Sequence, residues 1–280
     1  MRTCDALQPL MQPCDMPRRP AQTCDAPLSP LRADDTLPSP LQIHATPPPP
    51  ALDARLAAAA AYVRQGGTAA DIGCDHGKLA VSLVLRGQCK KVIASDLRPA
   101  PLEHARALAS LHGCGDAVEC RLGAGLSVLR AGEVQDIVIA GVSGITICEI
   151  LDAAGKAFFT AQPELRFVLV PASKHAALRL WLAQHGFSLL HETPVCAAKR
   201  YYTVIYAAFT GAARTPAPLE CAVGLAAHGP HAAGYLLRTA GDVEKQALGA
   251  QGEEKSRLLA LAADIRKAAE RCKNPSIWQN

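Results

Sequence analysis

The chain has 280 residues, of which 49% are hydrophobic, 19% charged and 4% aromatic. This length suits one large α/β domain with a small appendage, and it is too short for two full-size domains with linkers. The low aromatic content argues against an aromatic-rich β-sandwich, and a net charge of +4 is too small by itself to indicate nucleic-acid binding.

The sequence carries no pattern typical of a membrane or exported protein. No apolar run reaches the roughly 20 residues of a transmembrane helix, and the N-terminus lacks the apolar core of a signal peptide. The eleven cysteines are odd in number and include no C-x-x-C pair, which is typical of reduced thiols. We therefore expect a soluble, cytoplasmic, monomeric protein with no membrane contact and no metal site.

Residues 1–50 differ in composition from the rest of the chain. They contain twelve of the twenty-one prolines and a ten-residue repeat in which Cys4-Asp5 recurs as Cys14-Asp15 and Cys24-Asp25. Proline removes a backbone donor and fixes φ, so this segment cannot build a hydrogen-bonded core. We predict a disordered, low-complexity segment. Metal binding by the repeated cysteines, or partner binding by the proline run, stays open.

From Leu52 onward, short apolar runs alternate with helical patterns. A first helix begins near Leu52 and ends at Gly66-Gly67. Five β-strands are predicted next, at Thr68–Ile72, 91–95, Val118–Leu122, Asp136–Ala140 and Arg166–Val170. The helices between or after them are predicted at 78–86, 102–111, 145–153 and 176–185.

Two further strands, at 187–191 and 202–209, have no helix between them and should form an antiparallel hairpin at one edge of the sheet. Five β-α units followed by a hairpin predict an α/β fold with a doubly wound, mostly parallel, seven-stranded sheet. We assign this domain to residues 51–227. The amphipathic pattern of 228–280 predicts a small helical appendage, either a hairpin packed on the domain or a clamp for a polymeric substrate.

A glycine-rich turn follows the first strand, in the string Asp71-Ile72-Gly73-Cys74-Asp75-His76-Gly77. Such a turn lets the backbone approach a ligand, and the next helix offers unpaired N–H groups. Asp75 occupies the middle glycine position of dinucleotide folds, so an NAD-dependent oxidoreductase is only a distant alternative. The pattern favours an S-adenosylmethionine site, with Asp96 placed to accept the ribose hydroxyls.

Four motifs carry a resemblance to a known family. They are Ala70-Asp71-Ile72-Gly73-Cys74-Asp75-His76, Gly123-Ala124-Gly125-Leu126, Asp136-Ile137-Val138-Ile139-Ala140-Gly141-Val142-Ser143-Gly144, and Val170-Pro171. With these motifs the sequence resembles the bacterial tRNA methyltransferases that modify N1 of adenine 22. The resemblance implies a Rossmann-like class I enzyme that uses S-adenosylmethionine as its cofactor and tRNA as its partner.

The resemblance, together with the chemistry of methyl transfer, suggests roles for individual residues. Asp75 and His76 are the candidate catalytic residues, Asp75 as the carboxylate that accepts an N6 proton or stabilises the methylated ring. The cofactor would be bound by Asp71, Gly73, Asp75, Asp96, Leu97, Gly123, Ala124, Gly125, Leu126 and Gly141. The substrate would be bound by Val142, Ser143, Gly144, Lys78, Pro171 and Lys174, with the two lysines near backbone phosphates.

Two of these motifs depart from the family pattern. The family usually has Asn or Asp at the position of Ala124, and Met-Gly-Gly at the positions of Val142-Ser143-Gly144. The first change removes a hydrogen bond to the cofactor adenine worth about 1 kcal/mol. These departures leave two alternatives open: a methyltransferase of another RNA or a small molecule, and a relative that binds cofactor or RNA without catalysis.

Overall fold

The computed structural model describes residues 47–273, and these residues contain a seven-stranded sheet flanked by helices. The strand order is β3-β2-β1-β4-β5-β7-β6, in which β1 to β5 are parallel and β7 is antiparallel to both neighbours. The strands are β1 Thr68–Ile72, β2 Lys91–Asp96, β3 Val118–Leu122, β4 Asp136–Ala140, β5 Arg166–Val170, β6 Phe187–Ala197 and β7 Arg200–Phe209. The predicted fold class, including the antiparallel edge hairpin, is confirmed.

Eight α-helices lie among the described residues. They are α1 Ala54–Tyr62, α2 Lys78–Leu85, α3 Pro99–Leu111, α4 Gly144–Thr160, α5 His175–Gln184, α6 Pro218–Val223, α7 Ala232–Gly249 and α8 Gly252–Lys273. Helix α4 extends past the predicted end at 153, with a non-helical Gly155 (φ 73°) inside it. Helix α6 was not predicted, because its six residues are too few to show a periodic pattern.

The sheet is buried on both faces by two apolar layers. Alternate residues of a strand point to opposite faces, so Ala69 packs with α2 and α3 while Ala70 and Ile72 pack on the side of α4 and α5. This two-sided burial explains why β4 is a continuous apolar run, in contrast to the alternation of a half-exposed strand.

The turn after β1 is fixed by main-chain contacts. The N–H groups of Gly73 and Cys74 both donate to the carbonyl of Ser95, at 2.8 and 2.9 Å. Gly77 has a φ of 69°, and a Cβ there would lie 2.6 Å from the Cβ of Ala105. Only glycine fits this position, where α2 and α3 approach each other. The carboxyl ends of β1 and β2 are therefore held side by side.

A third apolar cluster joins α6, α7 and α8, and its members include Ala222, Tyr235, Leu236 and Ile265. The cluster begins at Ala222, shortly before the predicted boundary at 228. The assignment of 51–227 and 228–280 as separate units stays a prediction, and so does the segment 1–50, which lies almost wholly outside the described residues. Among residues 47–273, no helix is long and apolar enough to cross a membrane.

Candidate active site

A cavity of about 1140 Å³ opens at the carboxyl ends of the parallel strands, and residues of α4 and the start of α1 complete its walls. Ligands of doubly wound sheets bind at this edge. Thirteen of the predicted site residues line the cavity: Asp71, Gly73, Asp75, His76, Lys78, Asp96, Leu97, Gly123, Ala124, Gly125, Leu126, Gly141 and Val142. The fold thus brings together side chains that are up to 71 positions apart in the sequence.

Asp71 lies near the end of β1 and is buried. Burial raises the pKa of its carboxyl to about 7, and the negative charges of Asp75 and Asp96 add to the effect. Gly73 follows with a φ of 76°, and no atom lies within 4 Å of the place where its Cβ would be. A ligand can therefore approach the backbone of Gly73 closely, beside a carboxyl that is easily protonated.

Asp75 and His76 form the outer lip of this turn. Asp75 has a φ of 50°, a left-handed conformation that is uncommon outside glycine and frequent at ligand-binding sites. Its carboxylate is largely exposed and lies 3.6 Å from Nε2 of His76. Nδ1 of His76 lies 3.1 Å from Nδ1 of His104 on α3, so one of the two rings donates to the other. The geometry leaves the Asp75 carboxylate available to a ligand.

The end of β2 supplies an acid and an apolar side chain. Asp96 is buried, and its Oδ1 accepts the N–H of Arg98 at 3.0 Å. The Arg98 guanidinium lies 3.7 Å from the same oxygen. Leu97 is 69% exposed and lines the cavity. An exposed leucine beside a buried carboxylate suits a ligand with a flat apolar part and adjacent hydroxyl groups.

After β3, the residues Gly125–Val128 form a short 3-10 turn that lines the cavity. The Ser127 hydroxyl donates to the carbonyl of Ala124 at 2.6 Å. Arg121 stabilises the turn, because its guanidinium donates to the Val128 carbonyl and pairs with Glu133. The Arg121 hydrogen bonds lower the pKa of the Glu133 carboxyl to about 2, so this ion pair persists at neutral pH.

Four of the predicted substrate-binding residues, Ser143, Gly144, Pro171 and Lys174, do not line the cavity formed by the described residues. Ser143 is the N-cap of α4, and its Oγ accepts the N–H of Thr146 at 3.1 Å. Gly144 is buried beneath the α5 terminus, where a Cβ would lie 2.5 Å from the Lys174 carbonyl. These residues support the cavity wall from behind, and their contact with a substrate stays a prediction.

Sequence reasoning missed two parts of the wall. One face of α4 lines the cavity with Thr146, Glu149, Ile150 and Ala153. These residues follow the i, i+3, i+4, i+7 spacing of one helical face, which was visible in the sequence. The other part is Asp53 and Arg55 at the start of α1. No local pattern marks these two residues, because the chain fold alone brings them to the cavity.

The described part of the chain offers neither a metal site nor a reactive thiol in the cavity. It contains no group of three or more His, Cys, Asp or Glu residues that could hold a metal ion. Cys74 lies in the cavity wall, where burial and the nearby Asp71 charge raise the pKa of its thiol. A thiol held in its neutral form is a poor nucleophile.

Comparison with known proteins identifies the family. Residues 52–205 match the family described as methyltransferase domain, which is more than half of the chain. The chain belongs to this methyltransferase family. The match covers all five parallel strands and every residue that lines the cavity after Ala51. The resemblance drawn from the sequence motifs is thus confirmed at the level of the fold and the methyltransferase class.

This chain is similar to tRNA methyltransferases of Bacillus subtilis in both sequence and structure. The chain is 32% identical over 156 residues to the tRNA (adenine(22)-N(1))-methyltransferase of Bacillus subtilis strain 168, over 56% of this chain and 64% of that protein. It therefore spans less than two thirds of this curated relative. The crystal structure of the B. subtilis m1A22 tRNA methyltransferase TrmK is 26% identical with a TM-score of 0.62, over 80% of this chain and 99% of that one.

A third relative carries a ligand. Streptococcus pneumoniae Sp1610 in complex with S-adenosyl-L-methionine is 26% identical, with a TM-score of 0.64, over 79% of this chain and 99% of that one. This coverage exceeds the 56% aligned to the B. subtilis sequence, so the structural likeness extends beyond the sequence match.

Proposed function

We propose that this methyltransferase uses S-adenosylmethionine to methylate N1 of an adenine in tRNA, at position 22. The observation that carries the proposal is the cavity at the strand ends, lined by the Asp71-to-His76 turn and by Asp96. The names of the B. subtilis relatives, a tRNA (adenine(22)-N(1))-methyltransferase and TrmK, support the choice of reaction and substrate. The S. pneumoniae complex supports the choice of cofactor.

The residues present fit S-adenosylmethionine. Two glycines of the wall, Gly73 and Gly141, have φ values of 76° and 85° and have open space where a Cβ would be. Asp71 would face the positively charged amino-acid part, and Asp96 would accept from the ribose hydroxyls. Leu97 and the 3-10 turn at Gly125–Val128 would cover the adenine. The lining of the cavity thus includes both carboxyl groups and apolar side chains.

The cofactor supplies a methyl group on a positively charged sulfur, and adenine N1 supplies the lone pair that attacks it. The protein's task is to align the two groups and to exclude water, since no covalent intermediate is needed. Methylation makes the adenine ring cationic. The exposed Asp75 carboxylate would accept a proton from N6 or stabilise this charge, with His76 beside it.

On the substrate side, Lys78 lies on the cavity wall and would contact a tRNA phosphate. Gly141 and Val142 form the adjacent wall and would face the target base. We also propose that the protein acts as a monomer in the cytoplasm, where its proposed substrate is found.

The proposal is tested with the full chain and an unmodified transcript of a bacterial tRNA. Incubation with methyl-labelled S-adenosylmethionine should yield 1-methyladenosine at position 22, and a transcript with guanosine at that position should stay unlabelled. Label at another nucleotide, or on a small molecule only, would favour a methyltransferase with a different substrate. Tight cofactor binding by calorimetry without any labelled product would favour a non-catalytic relative. Binding of NAD in place of S-adenosylmethionine would contradict the proposal altogether.

A further inference from the structure

The wall of the cavity that would face the target base is held by a second loop behind it. The loop between β4 and α4 contributes Gly141 and Val142 to the wall. Three main-chain hydrogen bonds of 2.8 to 3.1 Å join this loop and the first residue of α4 to the end of β5 and the loop that follows it. These bonds run from the N–H of Gly141 to Val170, from the N–H of Ala172 to Val142, and from the N–H of Gly144 to Ser173. The position of the wall therefore depends on the loop at 171–174.

His175, the first residue of α5, holds that second loop. Its Nε2 lies 3.2 Å from the carbonyl oxygen of Pro171. A carbonyl oxygen only accepts, so Nε2 carries the proton and donates. Burial lowers the pKa of the imidazole to about 4, with the Arg179 charge acting in the same direction. The ring is therefore neutral at neutral pH, with its one N–H directed at the Pro171 carbonyl.

The opposite contact of His175 is with the C-terminal helices. Its ring meets the ring of Tyr235 edge to face, with centroids 5.8 Å apart and an interplanar angle of 84°. Tyr235 is 2% exposed, and its hydroxyl accepts from Nη2 of Arg179 at 2.7 Å. Arg179 also pairs with the buried Glu192, and its Nη1 donates to the carbonyls of Cys221 and Ala222.

A continuous chain of contacts thus runs from α7 through Tyr235, His175 and Pro171 to the wall at Gly141 and Val142. We propose that His175 is a positioning residue for the methyl acceptor, and that it ties the acceptor side of the cavity to the C-terminal helices. This inference rests on the proposed function. His175 itself does not line the cavity formed by the described residues, so it acts through the two loops and touches neither reactant.

The test compares two substitutions in the full chain. His175→Leu keeps the bulk of the side chain and removes the donor, whereas His175→Gln places an amide N–H near the position of Nε2. We expect His175→Leu to lower kcat on unmodified tRNA about tenfold, as for the loss of one hydrogen bond. The affinity for S-adenosylmethionine, measured by calorimetry, should change less than about twofold, because the substitution does not touch the part of the cavity where the cofactor is proposed to bind. His175→Gln should recover most of the kcat.

A second readout does not depend on catalysis. Amide hydrogen exchange at Gly141, Ala172 and Gly144, the donors that join the two loops, should become about tenfold faster in His175→Leu and should be restored in His175→Gln. If His175→Leu does not fold, His175→Asn replaces it, because the shorter amide cannot reach Pro171. The inference is overturned if the Leu variant retains wild-type kcat and exchange, or if the Leu and Gln variants are equally impaired.

Tyr235 provides the matching test of the link to the helices. Tyr235→Phe keeps the ring that packs on His175, whereas Tyr235→Leu removes its edge-to-face contact. We expect faster exchange in the loop at 171–174 with Leu than with Phe, and equal exchange in the two variants would contradict the link. A wild-type protein that methylates no tRNA would refute the proposed function instead, and the exchange measurements would still show whether His175 holds the two loops together.

Discussion

The two halves of the cavity are built in different ways. The donor half, where the cofactor is proposed to bind, consists of the turns after β1, β2 and β3, and its residues lie between Asp71 and Ser127. The acceptor half, where the target base is proposed to bind, consists of the loop after β4, which is held from behind by the loop after β5 and, through His175, by Tyr235 of α7. A binding site can therefore combine a half that is built from successive strand-end turns with a half that depends on the packing of distant segments.

The physical basis of each half also differs. The donor half relies on backbone conformation, with glycines at positive φ that leave open space for a ligand. Helix α5, which follows the loop behind the acceptor half, carries a buried ion pair between Arg179 and Glu192, whose remaining polar atoms are satisfied by Thr203, Leu225 and main-chain carbonyls. Removing one partner of such a pair leaves an unpaired buried charge, which is more costly than losing an exposed ion pair.

The largest effect is expected from Gly224→Ala, behind the acceptor half. Gly224 has a φ of 58°, and a Cβ there would overlap Oε2 of Glu192 and Nε of Arg179. The strain and the displaced ion pair should lower the free energy of unfolding by about 3 kcal/mol. Gly229→Ala is the matched control, since φ is 93° and the Cβ would meet open space. Chemical unfolding that gives equal losses for both variants would show that the ion pair is unimportant.

In the donor half, we expect Gly73→Ala to weaken the binding of the cofactor. A Cβ at this position would enter the space that the cofactor is proposed to occupy. We expect the Kd for S-adenosylmethionine to rise roughly 50-fold, measured by calorimetry. Gly66→Ala has the same backbone strain, with a φ of 79°, and lies outside the cavity. An unchanged Kd in Gly73→Ala would place the cofactor elsewhere.

A smaller effect should appear in the pH dependence of stability. The pKa of Asp71 is about 7 in the folded protein and 3.8 in the unfolded chain. Between these values the folded protein binds a proton that the unfolded chain lacks, so stability falls as pH rises. The free energy of unfolding of the ligand-free protein should fall by about 1 kcal/mol per pH unit between pH 5 and 7. Asp71→Asn should remove this slope. An identical slope in the wild-type protein and the variant would show that Asp71 does not cause the pH dependence.

The smallest expected effect is at Ser143, the cap of α4. Ser143→Ala should lower the free energy of unfolding by about 1 kcal/mol, because the N–H of Thr146 loses its acceptor. Ser143→Gly, which restores the residue usual in the family, should cost only a few tenths of a kcal/mol. If the alanine variant is as stable as the wild type within error, the hydrogen bond of Ser143 does not stabilise α4. If the glycine variant loses methylation, Ser143 contacts the substrate directly.

Much of the donor half was predictable because its information is local. Glycines at 73 and 77 mark a turn that other residues cannot adopt, and the acidic residues follow the ends of two apolar strands. The same logic explains why the bounds of β1, β3, β4 and β5 matched their predictions. The runs of β1, β4 and β5 are short, mainly apolar and bounded by polar turns, whereas β3 alternates apolar and polar residues, and both patterns favour a strand.

The acceptor half could not be predicted to the same depth. The substrate contact predicted for Ser143 and Gly144 stays a prediction, and the structure adds two features that the sequence did not show: Ser143 caps α4, and a Cβ at position 144 would meet the Lys174 carbonyl. Strand β6 also extends to Ala197, six residues beyond its predicted end, because pairing with β7 extends a segment whose polar residues interrupt the apolar pattern. Such contacts depend on which segments meet, and sequence spacing does not contain that information.

The sequence by itself determined the order of strands and helices, the edge hairpin and the turn that would hold the cofactor. Each of these depends on residues a few positions apart, through periodic burial or the conformational freedom of glycine. Only the tertiary structure decided that Arg55 and α4 close the cavity, and that His175 joins Pro171 to Tyr235. These contacts form when the sheet and the helices pack against each other, because packing brings together side chains that no local pattern relates.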